Sequence, residues 1–148
     1  MYVVDTDVMS AGAPTKARTI PALRVWMDRN TAGLYLSVVT VAEIEDGIAK
    51  SRRTGALRKA DLISAWLDAL LHLYASRVLP IDLEIARRIG RLSDRARSCG
   101  QSPGVADLAI AATAQSRGYT ILTRNLRHFS TVAVAAIDPF ETLPADLG

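Results

Sequence analysis

Short apolar runs that stop at polar residues, with a helix-length stretch between one and the next, constrain this chain most. Tyr2-Val3-Val4 is a β-branched run ending at Asp5, and Leu34-Tyr35-Leu36-Ser37-Val38-Val39 reads as a second strand. Tyr119-Thr120-Ile121-Leu122-Thr123 forms a third main strand and residues 132–137 a fourth, with a short extended piece at Val78-Leu79-Pro80-Ile81. Runs this short and apolar are buried strands. Between them the chain predicts helices over residues 20–29, 40–51 and 62–74, an Arg-rich helix capped by Asp82, and an Ala-rich helix over 107–116 stopped by Gly118. Strands alternating with helices hide their faces in a parallel sheet covered on both sides. The expected fold is therefore α/β, a three-layer α/β/α sandwich with a mainly parallel sheet, with residues 1–148 as one domain.

Composition narrows the function classes. A hydrophobic share of 49% is enough for a core, and no apolar stretch is long enough to cross a bilayer. The first residues carry no basic leader ahead of their apolar run, and Cys99 is the one cysteine, which excludes an internal disulfide and a cysteine metal cluster. A cytoplasmic protein is expected. The formal net charge is only +3, but Arg52, Arg53, Arg58 and Lys59 cluster at one turn and Arg87, Arg88, Arg91, Arg95 and Arg97 crowd one helix. Each cluster reads either as a phosphate-tracking patch or as a solvated face.

In open α/β sheets, ligands bind outside the carboxyl ends of the strands. Asp5 and Asp7 follow the first strand, Glu43 lies in the turn after the second, Asp107 begins the helix leading into the third, and Asn125 follows that strand. Grouped acids at one edge are what a hard divalent cation, Mg²⁺ or Mn²⁺, requires. Each acid also has a structural reading. Thr40-Val41-Ala42-Glu43 has the form of a capping box, Asp107 complements a helix dipole, and Asp5 or Asp7 can cap the segment after the first strand.

Four segments in order carry a resemblance to a known family. Val3-Val4-Asp5-Thr6-Asp7-Val8-Met9-Ser10 resembles the opening motif of PIN domains. Ser37-Val38-Val39-Thr40-Val41-Ala42-Glu43-Ile44-Glu45-Asp46-Gly47-Ile48 is similar to the second, Ala106-Asp107-Leu108-Ala109-Ile110-Ala111-Ala112-Thr113-Ala114 to the third, and Thr123-Arg124-Asn125-Leu126-Arg127-His128-Phe129 to the fourth. The likeness covers nearly the whole chain and is greatest to the VapC/FitB toxins. It implies a metal-dependent endoribonuclease, the toxin of a bacterial toxin–antitoxin pair, with Asp5, Glu43 and Asp107 as ligands of Mg²⁺ or Mn²⁺. Asn125 stands where many relatives carry a fourth acid. Asp7 is a supporting residue, with Thr6, Ser10 and Thr123 as hydroxyls that orient carboxylates or water. Arg124 and Arg127 are candidate RNA contacts. The resemblance further implies an antitoxin partner, a homodimer and a larger toxin–antitoxin complex.

Several readings stay open at this stage. His72 sits in the Leu-rich helix in a structural or interface role, and His128 edges the site near Asn125. Trp66, Leu67, Leu70, Leu71 and Tyr74 form a stripe that is either core or a partner groove. An Asp5-Thr6-Asp7 pair after an apolar strand also fits a haloacid-dehalogenase-like phosphatase, although Lys16, Lys50 and Lys59 lie in loop or helix-end contexts unsuited to that chemistry. A PIN-fold binding module without strong catalysis is the second alternative, suggested by Asn125.

Overall fold

The computed structural model describes residues 1–16 and 20–147. In chain order the elements are β1 (Tyr2–Val4), α1 (Thr6–Ser10), α2 (Pro21–Arg29), β2 (Leu34–Ser37), α3 (Val38–Arg53), α4 (Leu57–Tyr74), β3 (Val78–Leu79), α5 (Leu83–Ser98), α6 (Val105–Arg117), β4 (Thr120–Leu122), α7 (Leu126–Phe129) and β5 (Ala136–Ile137). The sheet has the order β3-β2-β1-β4-β5, and every neighbouring pair is parallel.

Alternation along the strands divides the core. Val4, Leu34, Leu36 and Leu122 face one layer with Trp26, Ile44, Ile48 and Leu67 of α2, α3 and α4. Val3 and Ile121 face the other, with Ile85 and Leu92 of α5 and Leu108, Ile110 and Ala111 of α6. Both faces of β1 and β4 are thus covered, as the β-branched runs require. Within the α4 stripe, Leu67, Leu70 and Tyr74 are buried, while Trp66 and Leu71 are only partly covered, and His72 is exposed. No helix among the described residues is long and apolar enough to cross a membrane.

Local expectations are corrected at β2 and at the fourth strand, and α1 is an element the sequence did not announce. β2 ends at Ser37, because the Ser37 hydroxyl takes the cap of α3 by accepting from Val39 N at 3.2 Å. Val38, Val39 and Thr40 therefore lie inside the helix, and Thr40 and Glu43 form no capping box. A one-turn helix, α1, follows β1 directly; five residues are too few to show a period. The fourth main strand shortens to Ala136–Ile137, since Val132 is buried in a turn and Ala133 adopts a positive φ of 50°. By contrast, Asp82 caps α5 through Ile85 N at 2.8 Å, and Gly118 ends α6 in the left-handed region at φ 66°.

Candidate metal centre

The order β3-β2-β1-β4-β5 reverses direction between β1 and β4, so the crevice beyond their carboxyl ends is the topological switch point of the sheet. Asp5 emerges there from β1 and Thr123 from β4. Register pairs Val4 with Leu122, and Asp5 N continues the ladder to Leu122 O at 2.9 Å. One residue on, Thr123 Oγ1 donates to Asp5 Oδ2 at 2.7 Å. The other carboxylate oxygen, Oδ1, accepts from Thr6 N at 2.7 Å, which makes Asp5 the cap of α1. Asp5 therefore caps α1 and at the same time stands at the switch point.

Asp5 is buried, and that burial pushes its carboxyl up to about 6, against the pull of the Thr123 hydroxyl and with further push from Asp7 and Asp107. Asp7, half-buried on α1, is also raised, first by burial. Its Oδ2 accepts from Arg124 N at 3.1 Å and from Asn125 Nδ2 at 3.3 Å, whereas Oδ1 is buried with no hydrogen-bond partner. Asn125 N in turn donates to Thr123 Oγ1 at 3.0 Å. Asn125 thus ties β4 to α1 instead of adding a charge.

Glu43 is exposed in the second turn of α3 and accepts a short hydrogen bond from Thr6 Oγ1, with Thr40 Oγ1 3.3 Å from the same hydroxyl. Thr6 therefore links β1's end to α3 and aims Glu43. Asp107, in the first turn of α6, has Oδ2 3.0 Å from His128 Nδ1, close but not aligned as a hydrogen bond. Ser10 touches none of these acids through a described hydrogen bond. It lines a cavity of about 230 Å³ shared with Thr6 and Glu43.

The two arginines separate. Arg124 stacks its guanidinium over the Phe140 ring, 3.6 Å from the centroid, while its backbone holds Asp7. Arg127 is exposed on α7 and takes part in none of the described ion pairs. Sequence reasoning placed His128 near Asn125 and missed its approach to Asp107. It also missed Phe140, which carries no local signal.

All candidate donors are oxygens except His128, which suits a hard cation. Among the described residues, no three Asp, Glu, His or Cys side chains are grouped closely enough to hold a metal ion by themselves. Mg²⁺ tolerates this, since it keeps several waters and takes one or two carboxylates plus substrate oxygens. Two further observations fit a cation: the orphaned Asp7 Oδ1, and Asp5, whose carboxyl is pushed up by burial and by the neighbouring Asp7 and Asp107.

A family model described as PIN domain matches residues 2–135. The chain is 34% identical over 142 residues to a protein named VapC ribonuclease Y4jK from Sinorhizobium fredii, covering 95% of this chain and 99% of that one. It is 30% identical to Toxin FitB of Neisseria gonorrhoeae, with the same coverage. The crystal structure of FitAcB from Neisseria gonorrhoeae superposes with a TM-score of 0.79 over 95% of this chain and 99% of that chain, at 30% identity.

Proposed function

The chain belongs to the PIN-domain family, and on that premise we propose that it is a metal-dependent endoribonuclease, the toxin of a toxin–antitoxin pair. The observation that carries this reading is Asp5 at the switch point, buried and pushed up to about 6, with Asp7 and Asp107 near enough to add to that push. The PIN match spans all four segments that hold the candidate residues and sets aside the phosphatase alternative. We take residues 1–148 as one nuclease domain.

Asp5, Asp107 and Glu43 would hold the ion, Mg²⁺ or Mn²⁺. A divalent ion bound there supplies Lewis-acid charge at a phosphodiester and lowers the pKa of an attacking water. The chain's own groups set the conditions for this. Thr123 Oγ1 and Thr6 N each hold one oxygen of Asp5 and fix its carboxylate at the end of β1. Thr6 Oγ1 holds Glu43 from the other side. Asn125 and the Arg124 backbone anchor Asp7 by one oxygen and leave the other for water or metal. Arg124, held over Phe140, is placed to meet substrate phosphate. Three intact acids support catalysis over a binding-only module.

An apolar groove of about 280 Å³ runs between α1, α2 and α4, lined by Met9, Leu23, Met27, Trp66, Leu70 and Leu73. We assign it to the antitoxin, in keeping with relatives solved as FitAB and VapBC complexes, some on DNA. An amphipathic segment suits such a groove. A homodimer and a larger complex with the antitoxin, acting in the cytoplasm where RNA is found, complete the reading.

Cleavage of total cellular RNA tests it. With Mg²⁺ or Mn²⁺ the purified protein is expected to give discrete fragments that vanish in EDTA and with Asp5→Asn. Folded, antitoxin-free protein that cuts no RNA under either metal would sink the proposal.

A further inference from the structure

Gly47 sits in the middle of α3 with no steric reason to be glycine. Its φ is not positive, and a Cβ built on it meets no atom within 4 Å. A helix interior disfavours glycine relative to alanine, and Gly90 of α5 is equally unconstrained; what sets Gly47 apart is the cavity it borders. The space it leaves open belongs to the cavity of about 230 Å³ beside the acids. Glu43, Gly47 and Ser51 fall at i, i+4 and i+8 and form one side of it; Ser10 and Trp66 form others, and the exposed Lys16 and Lys59 stand at its edge.

The chemistry of these walls favours one ligand class. Neither lysine takes part in an ion pair among the described residues, whereas nearby Arg52 is bound to Asp61 at 2.9 Å. Two ammonium groups are thus left for an anion. Trp66 offers an aromatic wall for a planar ring, and Ser51, whose hydroxyl donates to Gly47 O at 2.9 Å, presents lone pairs to a donor. The volume falls just below the usual range of ligand pockets, which suits a single unpaired base better than a stacked pair. Glu43 and Thr6 also line the cavity, so its occupant adjoins Glu43.

We infer that this cavity binds one unpaired nucleotide of the RNA beside the scissile phosphate, its base against Trp66 and its phosphates held by Lys16 and Lys59. Gly47 keeps the space open. The inference deepens the ribonuclease reading and rests on it.

The test uses full-length Gly47→Leu and Lys59→Ala, with Gly90→Leu as control. Gly90 is a glycine of α5 whose added Cβ likewise meets nothing within 4 Å, and it lies outside the cavity. The probe is a pool of single-stranded oligoribonucleotides built on the mapped cut site, randomised on each side of the scissile bond. Gly47→Leu is expected to melt at or above wild type, raise KM about tenfold, and lose base preference at one flanking position. Gly90→Leu should cleave as wild type. Lys59→Ala, in an Asp5→Asn background, should reduce the salt slope of oligonucleotide binding by about 0.7. Should leucine lower the melting temperature, Gly47→Ala carries the same test with one methyl. Gly47 variants with wild-type KM and base preference would overturn the subsite alone. A wild type that cuts no RNA would overturn the subsite and the ribonuclease reading together.

Discussion

Thr123 Oγ1 donates to Asp5 Oδ2 at 2.7 Å across the two central strands, and this bond opposes the desolvation that pushes Asp5 up to about 6. Both side chains are buried, so no water substitutes freely for the bond. Thr123→Val keeps shape and removes the donor. It should cost about 1–3 kcal/mol in urea unfolding at pH 7 and move the acid limb of the cleavage profile to higher pH. Thr123→Ser should restore both. A valine variant with wild-type stability and pH profile would show that the hydroxyl does not hold Asp5.

Asp5 itself works against stability in the metal-free protein. Its folded carboxyl titrates near 6 and its unfolded one near 3.8. A raised acid contributes stability that is complete below the unfolded value and is lost as pH rises through the folded one. The contribution of Asp5 to the stability of the metal-free chain should therefore fall by on the order of 2–3 kcal/mol between pH 4 and 6. Asn retains the cap on Thr6 N and carries no charge. Asp5→Asn should thus melt higher than wild type in EDTA at pH 7.5 while cutting no RNA, and added Mg²⁺ should narrow the gap by stabilising only wild type. Thermal melts across pH 4–8 check the sign; a destabilised Asn variant above pH 6 would refute it.

Much of this site is legible in the sequence because it follows from strand ends. Asp5 and Thr123 each come directly after a buried apolar run, and parallel register then sets them side by side. Glu43 was harder. Ser37 and Thr40 both have N-cap chemistry, and which one starts α3 depends on where β2 leaves its pairing with Leu79, a tertiary fact. The cavity beside Glu43 draws on α1, α3, α4 and the segment after α1, so no local pattern announces it. His128 was visible only as a neighbour of Asn125; its approach to Asp107 depends on how α7 packs against α6.

Thr6 Oγ1 is the only described side-chain donor to Glu43. Thr6→Val should leave the fold intact and let Glu43 swing into solvent. Loss of a residue that orients a metal-binding carboxylate is typically worth about 10–100-fold in activity or metal affinity. Titrating Mg²⁺ against the cleavage rate should show a higher requirement for Thr6→Val and a recovery in Thr6→Ser. An unchanged Mg²⁺ requirement would place Glu43 outside the ion's reach.

Phe140 holds the Arg124 guanidinium at 3.6 Å from its ring centroid and also packs against the core. Phe140→Leu preserves the apolar contact and removes the aromatic face. A cation–π contact at a partly exposed site is worth about 0.5–1 kcal/mol. A rise in KM for RNA of about two- to fivefold, with kcat little changed, is expected if Arg124 meets substrate phosphate. Arg124→Ala should then abolish the effect of Phe140→Leu; additive effects in the double variant would show that Phe140 does not act through Arg124, and a wild-type KM in Arg124→Ala would place Arg124 off the RNA path.

Leu73 separates inhibition from catalysis. It is 56% exposed in the last turn of α4 and lines the apolar groove, which shares Trp66 with the cavity beside Glu43 but reaches neither Glu43 nor Asp107. An antitoxin segment laid in this groove would cover Leu73 with apolar side chains, so a buried, unpaired carboxylate there is strongly disfavoured. Leu73→Glu costs the free toxin little because the position faces water. Expression of this variant with its antitoxin should therefore arrest growth where the wild-type pair does not, while the purified variant cuts RNA at the wild-type rate. Neutralisation undiminished in Leu73→Glu would move the antitoxin to another face and leave the groove without an occupant.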